Sequence, residues 1–140
     1  MDEVARDLAG GGAATEDAVD PEGPLRAILE ARATGDENRH LAGGVRLAAF
    51  GDVATEMCIV TDGDEGLFAS YSDVQFRAPV RAGDVIEISA ELVRVGTRSR
   101  EMDFEVRVVG RGTPARGESA AEVLDPPIVA TTARGVVVVP

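Results

Sequence analysis

Residues 45–60 read VRLAAFGDVATEMCIV, and this stretch decides the fold. The spacing of one apolar set is typical of one face of an α-helix, and its members are Leu47, Phe50, Ala54, Met57 and Cys58. The opposite side is also apolar, since it carries Val45, Ala48, Ala49 and Ile59. A helix with two apolar sides is usually buried on both. The pattern therefore predicts one central helix, with Gly43-Gly44 before it and the turn 62–66 after it.

Beyond this helix the apolar residues alternate with polar ones, which is typical of antiparallel strands with one wet face. Four strands are predicted, at 70–77, 85–95, 102–108 and 128–139, and they are expected to form a meander. In the first of them the alternation places Tyr71 and Asp73 together on the polar face. Residues 25–34 fit a strand or a helix equally well, and residues 120–124 are ambiguous.

The first 24 residues carry a glycine triplet, many acids and two prolines without any sustained period. We interpret them as a disordered, acidic N-terminal extension. Residues 25–140 are long enough for one domain. The predicted order is an α+β arrangement, in which one antiparallel sheet wraps one long helix. Since one sheet leaves much of that helix uncovered, we expect the chain to form a homodimer or a dimer-based hexamer.

Composition excludes several classes of partner. The formal charge of −11 disfavours nucleic acid and anionic membranes. No apolar run approaches the roughly 18 residues of a spanning helix. The chain starts with acidic residues where a secretory signal would be basic, so we expect a cytoplasmic protein. Cys58 is the single cysteine and His40 the single histidine, which together give no credible zinc site.

The basic residues are all arginine, and this absence of lysine limits the chemistry. A Schiff base between a lysine and a substrate or pyridoxal phosphate cannot form.

Four segments resemble the 3-aminobutyryl-CoA and β-alanyl-CoA ammonia-lyases, a family with the hotdog fold. They read GDVATEMCIVTDGDEGLFASYSDVQF at 51–76, APVRAGDVIE at 78–87, VGTRSREMDFE at 95–105 and ATTARGVVVVP at 130–140. The phrase GDVATE followed by DGDEG is the specific part of the likeness, which covers about residues 39–140 in collinear order. Residues 1–24 have no counterpart, and residues 110–126 depart from the family pattern.

The resemblance implies a reversible removal of ammonia from a 3-aminoacyl-CoA, giving the 2-enoyl-CoA. The chain has no Ala-Ser-Gly triplet, from which aromatic ammonia-lyases make their electrophilic cofactor. With lysine also absent, we expect acid–base catalysis without a cofactor, on coenzyme A as part of the substrate. The thioester acidifies its α-hydrogen, and the resulting enolate needs hydrogen-bond donors.

The family likeness makes Glu56 the candidate base, with Asp52 assisting the ammonium or the second proton transfer. The two carboxylates are four residues apart and so project from one side of the helix. Burial makes a carboxylate a stronger base. The residues alone favour a different interpretation, in which this side of the helix is simply solvated and Asp52 lies early in the helix for the sake of its dipole.

The other candidate site residues surround this pair. The N–H groups of Gly43, Gly44 and Val45 are expected to hold the thioester oxygen at the helix N-terminus, although an ordinary turn explains two glycines equally well. His40 is a weaker candidate for positioning the substrate. Tyr71 and Asp73 are candidates for reaching a neighbouring subunit's site. Arg98 and Arg100 are candidates for binding the phosphates of coenzyme A, against ordinary surface charge.

Two alternatives to the lyase stay open. An acyl-CoA thioesterase would use the same helix carboxylate to activate water and the same amides for the oxyanion. A non-catalytic acyl-CoA-binding module would bind the thioester and turn over none of it. Cys58 lies on the apolar stripe and is interpreted as a buried small hydrophobic residue.

Overall fold

A computed structural model describes residues 3–8, 11–18, 25–33 and 43–140 of the chain. It contains one helix and seven strands within these ranges. In chain order they are β1 (Glu3–Leu8), β2 (Gly11–Ala18), β3 (Arg26–Arg32), α1 (Gly43–Asp62), β4 (Leu67–Phe76), β5 (Val85–Val95), β6 (Ser99–Gly112) and β7 (Ala121–Val138). The predicted order of one helix followed by four strands is therefore confirmed. The segment that fitted either structure is strand β3, and the ambiguous residues 120–124 largely belong to β7.

The strands form one antiparallel sheet in the order β1-β2-β3-β5-β6-β7-β4. The predicted meander holds for β5, β6 and β7, but it is wrong for β4. That strand pairs with the far side of β7, and residues 77–84 return the chain to β5 across the end of the sheet. Arg77 and Ala78 both donate their N–H groups to the carbonyl oxygen of Ala130 on this path. β4 therefore ends the sheet on one side.

Helix α1 lies across the sheet and is longer than predicted by two residues at each end. Its inner stripe is fully buried at Phe50, Val53 and Met57. Its outer side is not covered, since Ala48 is exposed and Ile59 is 46% exposed. One sheet covers only one side of the helix, as expected for a single chain, and burial of the outer side in a dimer stays a prediction.

The two central strands follow the predicted alternation. In β5 the residues Ile86, Ile88 and Ala90 are buried against the helix. In β6 every second residue from Met102 to Val108 is buried in the same way. The intervening positions carry mostly charged side chains on the outer face of the sheet, so the sequence pattern fixes which face holds the core.

Strand β4 breaks the alternation predicted for it. Its pairing with β7 shifts register between Phe68 and Ser70 and again between Ser72 and Gln75. As a result the inward residues fall at every third position, namely Phe68, Tyr71 and Val74. Each irregularity inserts a residue and so moves the following side chains to the other face. The predicted placement of Tyr71 on the polar face is wrong for this reason.

The division of the chain at residue 24 stays a prediction, but the structure differs from it in one respect. The backbone of β1 and β2 forms a hairpin, and β2 pairs with β3. The sequence predicted a disordered extension because these residues show no apolar period. Main-chain pairing does not need that period, since an unpaired strand edge offers its N–H and C=O groups to any extended backbone.

Three arginines hold loops and strand ends by two-pronged contacts with aspartates. Arg111 donates Nε and Nη2 to the two carboxylate oxygens of the buried Asp84, at 2.9 and 2.8 Å. Arg100 and Asp62 form the same fork at 3.0 and 2.7 Å. The third pair joins Arg134 to Asp103, at 2.8 and 3.2 Å. Planar guanidinium groups match a carboxylate in this geometry, which a lysine cannot do.

The contacts of Asp84 indicate a structural role for the segment APVRAGD at residues 78–84. Its second carboxylate oxygen accepts the N–H of Arg81 at 2.8 Å, which closes the turn 81–84. The carbonyl oxygen of Asp84 in turn accepts the N–H of Ala33. The carboxylate of Asp84 therefore joins the turn to β6, while its backbone carbonyl joins the turn to the end of β3. We interpret Asp84 as a residue that supports the fold.

Candidate active site

The candidate base Glu56 lies on α1 and is buried. The residue is 4% exposed, and its neighbours in sequence on the helix, Val53 and Met57, are buried as well. Asp52, one turn earlier, is half-buried. It also lies at the middle of the 20-residue helix, so the early position near the helix dipole, considered from the sequence, does not apply. The structure therefore separates the two carboxylates by burial, although they share one side of the helix.

Gly43, Gly44 and Val45 are the first three residues of α1. The sequence pattern predicts the two glycines before the helix, whereas the structure has them in its first turn. The N–H groups of a first turn have no partner within the helix. The backbone therefore presents these donors at the positive end of the helix dipole, which suits an anionic oxygen.

These donors and Glu56 do not meet within one chain. Eleven residues separate Val45 from Glu56, which is about 16 Å along a helix at 1.5 Å per residue. A glutamate side chain covers only a small part of that distance. The structure thus brings Glu56 together with Asp52, but it does not bring Glu56 together with the helix N-terminus.

An apolar cavity of about 480 Å³ opens between the outer side of α1 and the edge strand β4. The lining residues are Leu47, Ala48, Gly51, Phe68, Ala69, Ser70 and Tyr71. A Cβ atom at Gly51 would meet nothing within 4 Å, so the helix is open to the cavity at this point. Glycine inside a helix lowers stability by roughly 0.5–1 kcal/mol relative to alanine. The chain around Gly51 leaves room for a larger residue, so packing within one chain does not explain this glycine.

Tyr71 lies in this cavity wall and not on the polar face. Its hydroxyl donates to the carbonyl oxygen of Leu47 at 2.8 Å, which ties β4 to α1. Its ring lies 4.3 Å from that of Phe68, and burial raises the pKa of its hydroxyl. Tyr71 is therefore held in place within its own chain.

Asp73 lies on the other side of the sheet from α1. It has a left-handed backbone with φ of 52° and lies within the second register shift of β4, between Ser72 and Gln75. It lines a polar cavity of about 540 Å³ on the outer face, together with Arg134 and Asp103. The structure therefore does not bring Asp73 to Glu56 of the same chain.

Arg98 and Arg100 lie near the C-terminal end of α1. Arg98 is exposed. Arg100 forms the fork with Asp62 described above, and its Nη1 donates to the carbonyl oxygens of Gly96 and Ser99. The hydrogen bonds of the fork with Asp62 raise the pKa of Arg100 and lower that of Asp62. Arg100 thus already neutralises an acid at the end of the helix, and Arg98 is the more accessible of the two.

Sequence reasoning missed Arg46. Only 5% of this residue is exposed, and it lies on the inner stripe of α1 with Phe50 and Val53. One Nη1 atom donates to the carbonyl oxygen of Ala78 at 2.9 Å and to the hydroxyl oxygen of Thr131 at 3.0 Å. The available signal was an arginine at a core position of a helical repeat, where an apolar residue is expected.

Cys58 is fully buried, as predicted. Burial, which is the larger cause, and the nearby Asp62 together raise the pKa of its thiol to about 11. At pH 8 only about one thiol in a thousand is ionised with such a pKa, and the thiolate is the reactive form.

We therefore expect Cys58 to react with a disulfide reagent at least about 100-fold more slowly in the folded protein than in the unfolded chain. The rate of colour release at pH 8 with and without urea measures this. Equal rates in the two conditions would contradict the buried placement. The urea sample also serves as the control that the thiol is intact.

His40 lies outside the residues that the structure describes. Within the described ranges no three histidine, cysteine, aspartate or glutamate side chains are grouped to hold a metal ion. No helix among the described residues is long and apolar enough to cross a membrane.

Comparison with known proteins places this geometry in a family. A family model described as "Thioesterase superfamily" matches residues 38–115, which include all of α1. A 3-aminobutyryl-CoA ammonia lyase from Acetoanaerobium sticklandii is 43% identical over 121 residues, covering 83% of this chain and 95% of that protein. The chain belongs to the 3-aminobutyryl-CoA ammonia lyase family of the thioesterase superfamily. The resemblance stated from the sequence is thereby confirmed.

Solved structures agree with this family and with the predicted hotdog fold. The β-alanyl-CoA:ammonia lyase from Clostridium propionicum superposes with a TM-score of 0.74 at 27% identity, covering 81% of this chain and 84% of that one. A hexameric hotdog fold thioesterase of Campylobacter jejuni gives a TM-score of 0.65 at 21% identity, with 79% of both chains covered. The second likeness concerns the fold alone.

Proposed function

We propose that the protein catalyses the reversible elimination of ammonia from a 3-aminoacyl-CoA thioester, giving the 2-enoyl-CoA. The observation that carries this proposal is the 43% identity to a 3-aminobutyryl-CoA ammonia lyase over nearly the whole of that protein. The buried Glu56 on the helix supports it, because elimination next to a thioester needs a base that removes the α-proton. The reaction is proposed to need no cofactor, since the chain lacks both lysine and an Ala-Ser-Gly triplet.

In the proposed mechanism the Glu56 carboxylate takes the α-proton of the thioester. The electron pair of that C–H bond forms the enolate and then the double bond to the β-carbon. The C–N bond breaks with its pair on nitrogen, so the 3-ammonio group leaves as ammonia. The proton on Glu56 then passes to ammonia, which departs as ammonium, and Asp52 is proposed to assist this second transfer. Addition in the reverse direction uses the same groups.

The N–H groups of Gly43, Gly44 and Val45 are proposed to stabilise the enolate oxygen. That oxygen is two bonds from the carbon that loses the proton, so its donors and the base must lie within a few ångströms of each other. The separation of about 16 Å along α1 is too large for one chain. We infer that one substrate is held by the helix N-terminus of one subunit and Glu56 of a second.

An antiparallel pair of α1 helices around a two-fold axis satisfies this requirement. If the axis passes level with Phe50, Glu56 lies level with Gly44 of the partner subunit. Ala48 and Gly51 have small side chains on the open side of the helix and allow two helices to approach closely. The outer edge of β4 and the exposed Leu67 and Phe76 are then available to the same partner. We propose a homodimer on this basis, alone or as the unit of a hexamer.

The remaining candidates receive roles consistent with their places. Arg98 is proposed to bind the coenzyme A phosphates, with Arg100 contributing from its fork with Asp62. Tyr71 is proposed to form the wall beside the acyl group, and Asp73 and His40 stay candidates for contacts that involve another subunit or the residues before α1. We propose a cytoplasmic location, with no nucleic acid or membrane partner.

Incubation of the purified protein with crotonyl-CoA and ammonium tests the function. We expect 3-aminobutyryl-CoA in the mass spectrum, identified by the added mass of ammonia. Crotonyl-CoA and ammonium without protein are the control. Free coenzyme A in place of the amine adduct would contradict the lyase and establish a thioesterase, the alternative that the superfamily model supports. Binding without any turnover across acyl chains of different length would favour a non-catalytic acyl-CoA-binding module.

A further inference from the structure

Arg46 carries a charge at a buried position of α1. Burial of an uncharged side chain there would cost less free energy of folding. Its guanidinium is taken out of water, and burial lowers the pKa of the group. It also stands in the first turn of α1, where a cation opposes the helix dipole. A methionine would fill the same space on the inner stripe with neither penalty. The contacts of the Arg46 guanidinium therefore explain why an arginine occupies this position.

Those contacts join three parts of the chain that are distant in sequence. From the first turn of α1 the Nη1 atom reaches the carbonyl oxygen of Ala78, just after β4, and the hydroxyl of the fully buried Thr131 on β7. The guanidinium carbon lies 5.8 Å from the centre of the Phe76 ring. The first turn is thereby fixed to the end of the β4–β7 pair at which Phe76 lies opposite Thr131.

The first turn needs such a contact because of its own sequence. Gly43 and Gly44 open it, and glycine has the least intrinsic preference for a helical backbone after proline. Neither glycine has a side chain with which to pack. Without an external restraint the N–H groups of this turn would sample several directions.

We propose that Arg46 is a positioning residue, which holds the first turn of α1 so that the N–H groups of Gly43, Gly44 and Val45 point at the thioester oxygen. This inference rests on the proposed function, in which those groups stabilise the enolate. Arg46 touches no reacting atom in this role. Its effect passes through the backbone of the turn.

Two measurements test it, and the first is independent of any activity. We expect Arg46→Met to accelerate amide hydrogen exchange at residues 47–49 at least about tenfold, because these N–H groups donate to the carbonyl oxygens of residues 43–45 and lose protection when the first turn opens. Exchange in β6 should stay unchanged. Unaltered exchange at residues 47–49 would overturn the proposal, even if the wild-type protein proved to be a thioesterase.

The second measurement is the split between kcat and KM on the substrate that the wild-type protein turns over. We expect Arg46→Met to lower kcat by about ten- to a hundredfold, since small displacements of transition-state donors have effects of that size. KM should change little. Arg46→Lys keeps the charge and loses the fork, and it should recover only part of the rate.

Thr131→Val supplies a second variant that leaves Arg46 in place. It removes one acceptor of the guanidinium with little change in volume, and we expect a smaller loss of kcat. If the hydroxyl acts through Arg46, the double variant with Arg46→Met should be no slower than Arg46→Met alone. Arg94→Met on β5 is the matched control, since that arginine is exposed, and it should keep the wild-type kcat. Full additivity, or a folded Arg46→Met protein with wild-type kcat, would overturn the proposal.

Discussion

Replacement of Glu56 by glutamine is expected to lower kcat for ammonia elimination by a factor of about 10²–10⁴. Glutamine has almost the same shape as glutamate and can accept and donate hydrogen bonds, but it does not take up a proton at neutral pH. The residue is only 4% exposed, so an isosteric change is needed to leave the packing around it intact. Substrate binding should persist, and KM should change much less than kcat.

The rate of enoyl-CoA formation from 3-aminobutyryl-CoA, followed in the ultraviolet, measures the effect. Glu65→Gln is the matched control, since that glutamate is exposed beyond the end of α1 and should keep the wild-type rate. Asp52→Asn tests the assisting role, and we expect a smaller loss than for Glu56→Gln. Full activity of the Glu56→Gln protein would show that another group is the base. A larger loss for Asp52→Asn would exchange the two roles.

Two inactive variants are expected to restore activity when their subunits are mixed. Glu56→Gln removes the base and leaves the helix N-terminus intact. Gly44→Pro removes one N–H donor, while proline is tolerated in the first turn of a helix. If each site takes Glu56 from one subunit and the helix N-terminus from the other, a mixed dimer contains one site without either change.

The expected recovery follows from random pairing. Half of the dimers are mixed and one of their two sites is intact, so the mixture should regain about a quarter of the wild-type activity after unfolding and refolding together. A mixture of Glu56→Gln with Glu56→Ala is the control and should stay inactive. If the site lay within one chain, every site would carry one of the two changes. Absence of recovery in properly refolded dimers would thus refute the shared site.

The sequence predicted most of the fold because its strongest patterns act locally. The helical spacing in 45–60 and the alternation at 85–95 each indicate which face of the helix or strand is buried within the chain. The alternation predicted for β4 was wrong, because its two register shifts turn Tyr71 inward. No local sequence pattern indicates a bulge of this kind. Its place beside β7 was also hidden, since pairing between distant strands leaves little trace in either one.

The site was predictable only in part. Glu56 was identified through the family likeness, and its burial fits the role proposed for it. Asp73 was grouped with Tyr71 by the alternation, yet the two lie on different faces of the sheet. Arg100 was considered as a phosphate ligand or as ordinary surface charge, because nothing in the sequence shows that Asp62, 38 residues away, is its partner. Contacts of this kind depend on the tertiary fold.

The arginine forks have a chemical consequence for a protein that works on thioesters. Acyl-CoA molecules transfer their acyl groups to free amines, and an acylated lysine loses its charge. The forks at Asp62, Asp84 and Asp103 are made by guanidinium groups, which stay protonated and are poor nucleophiles at neutral pH. The contacts that hold this fold therefore resist the electrophile that the active site must handle.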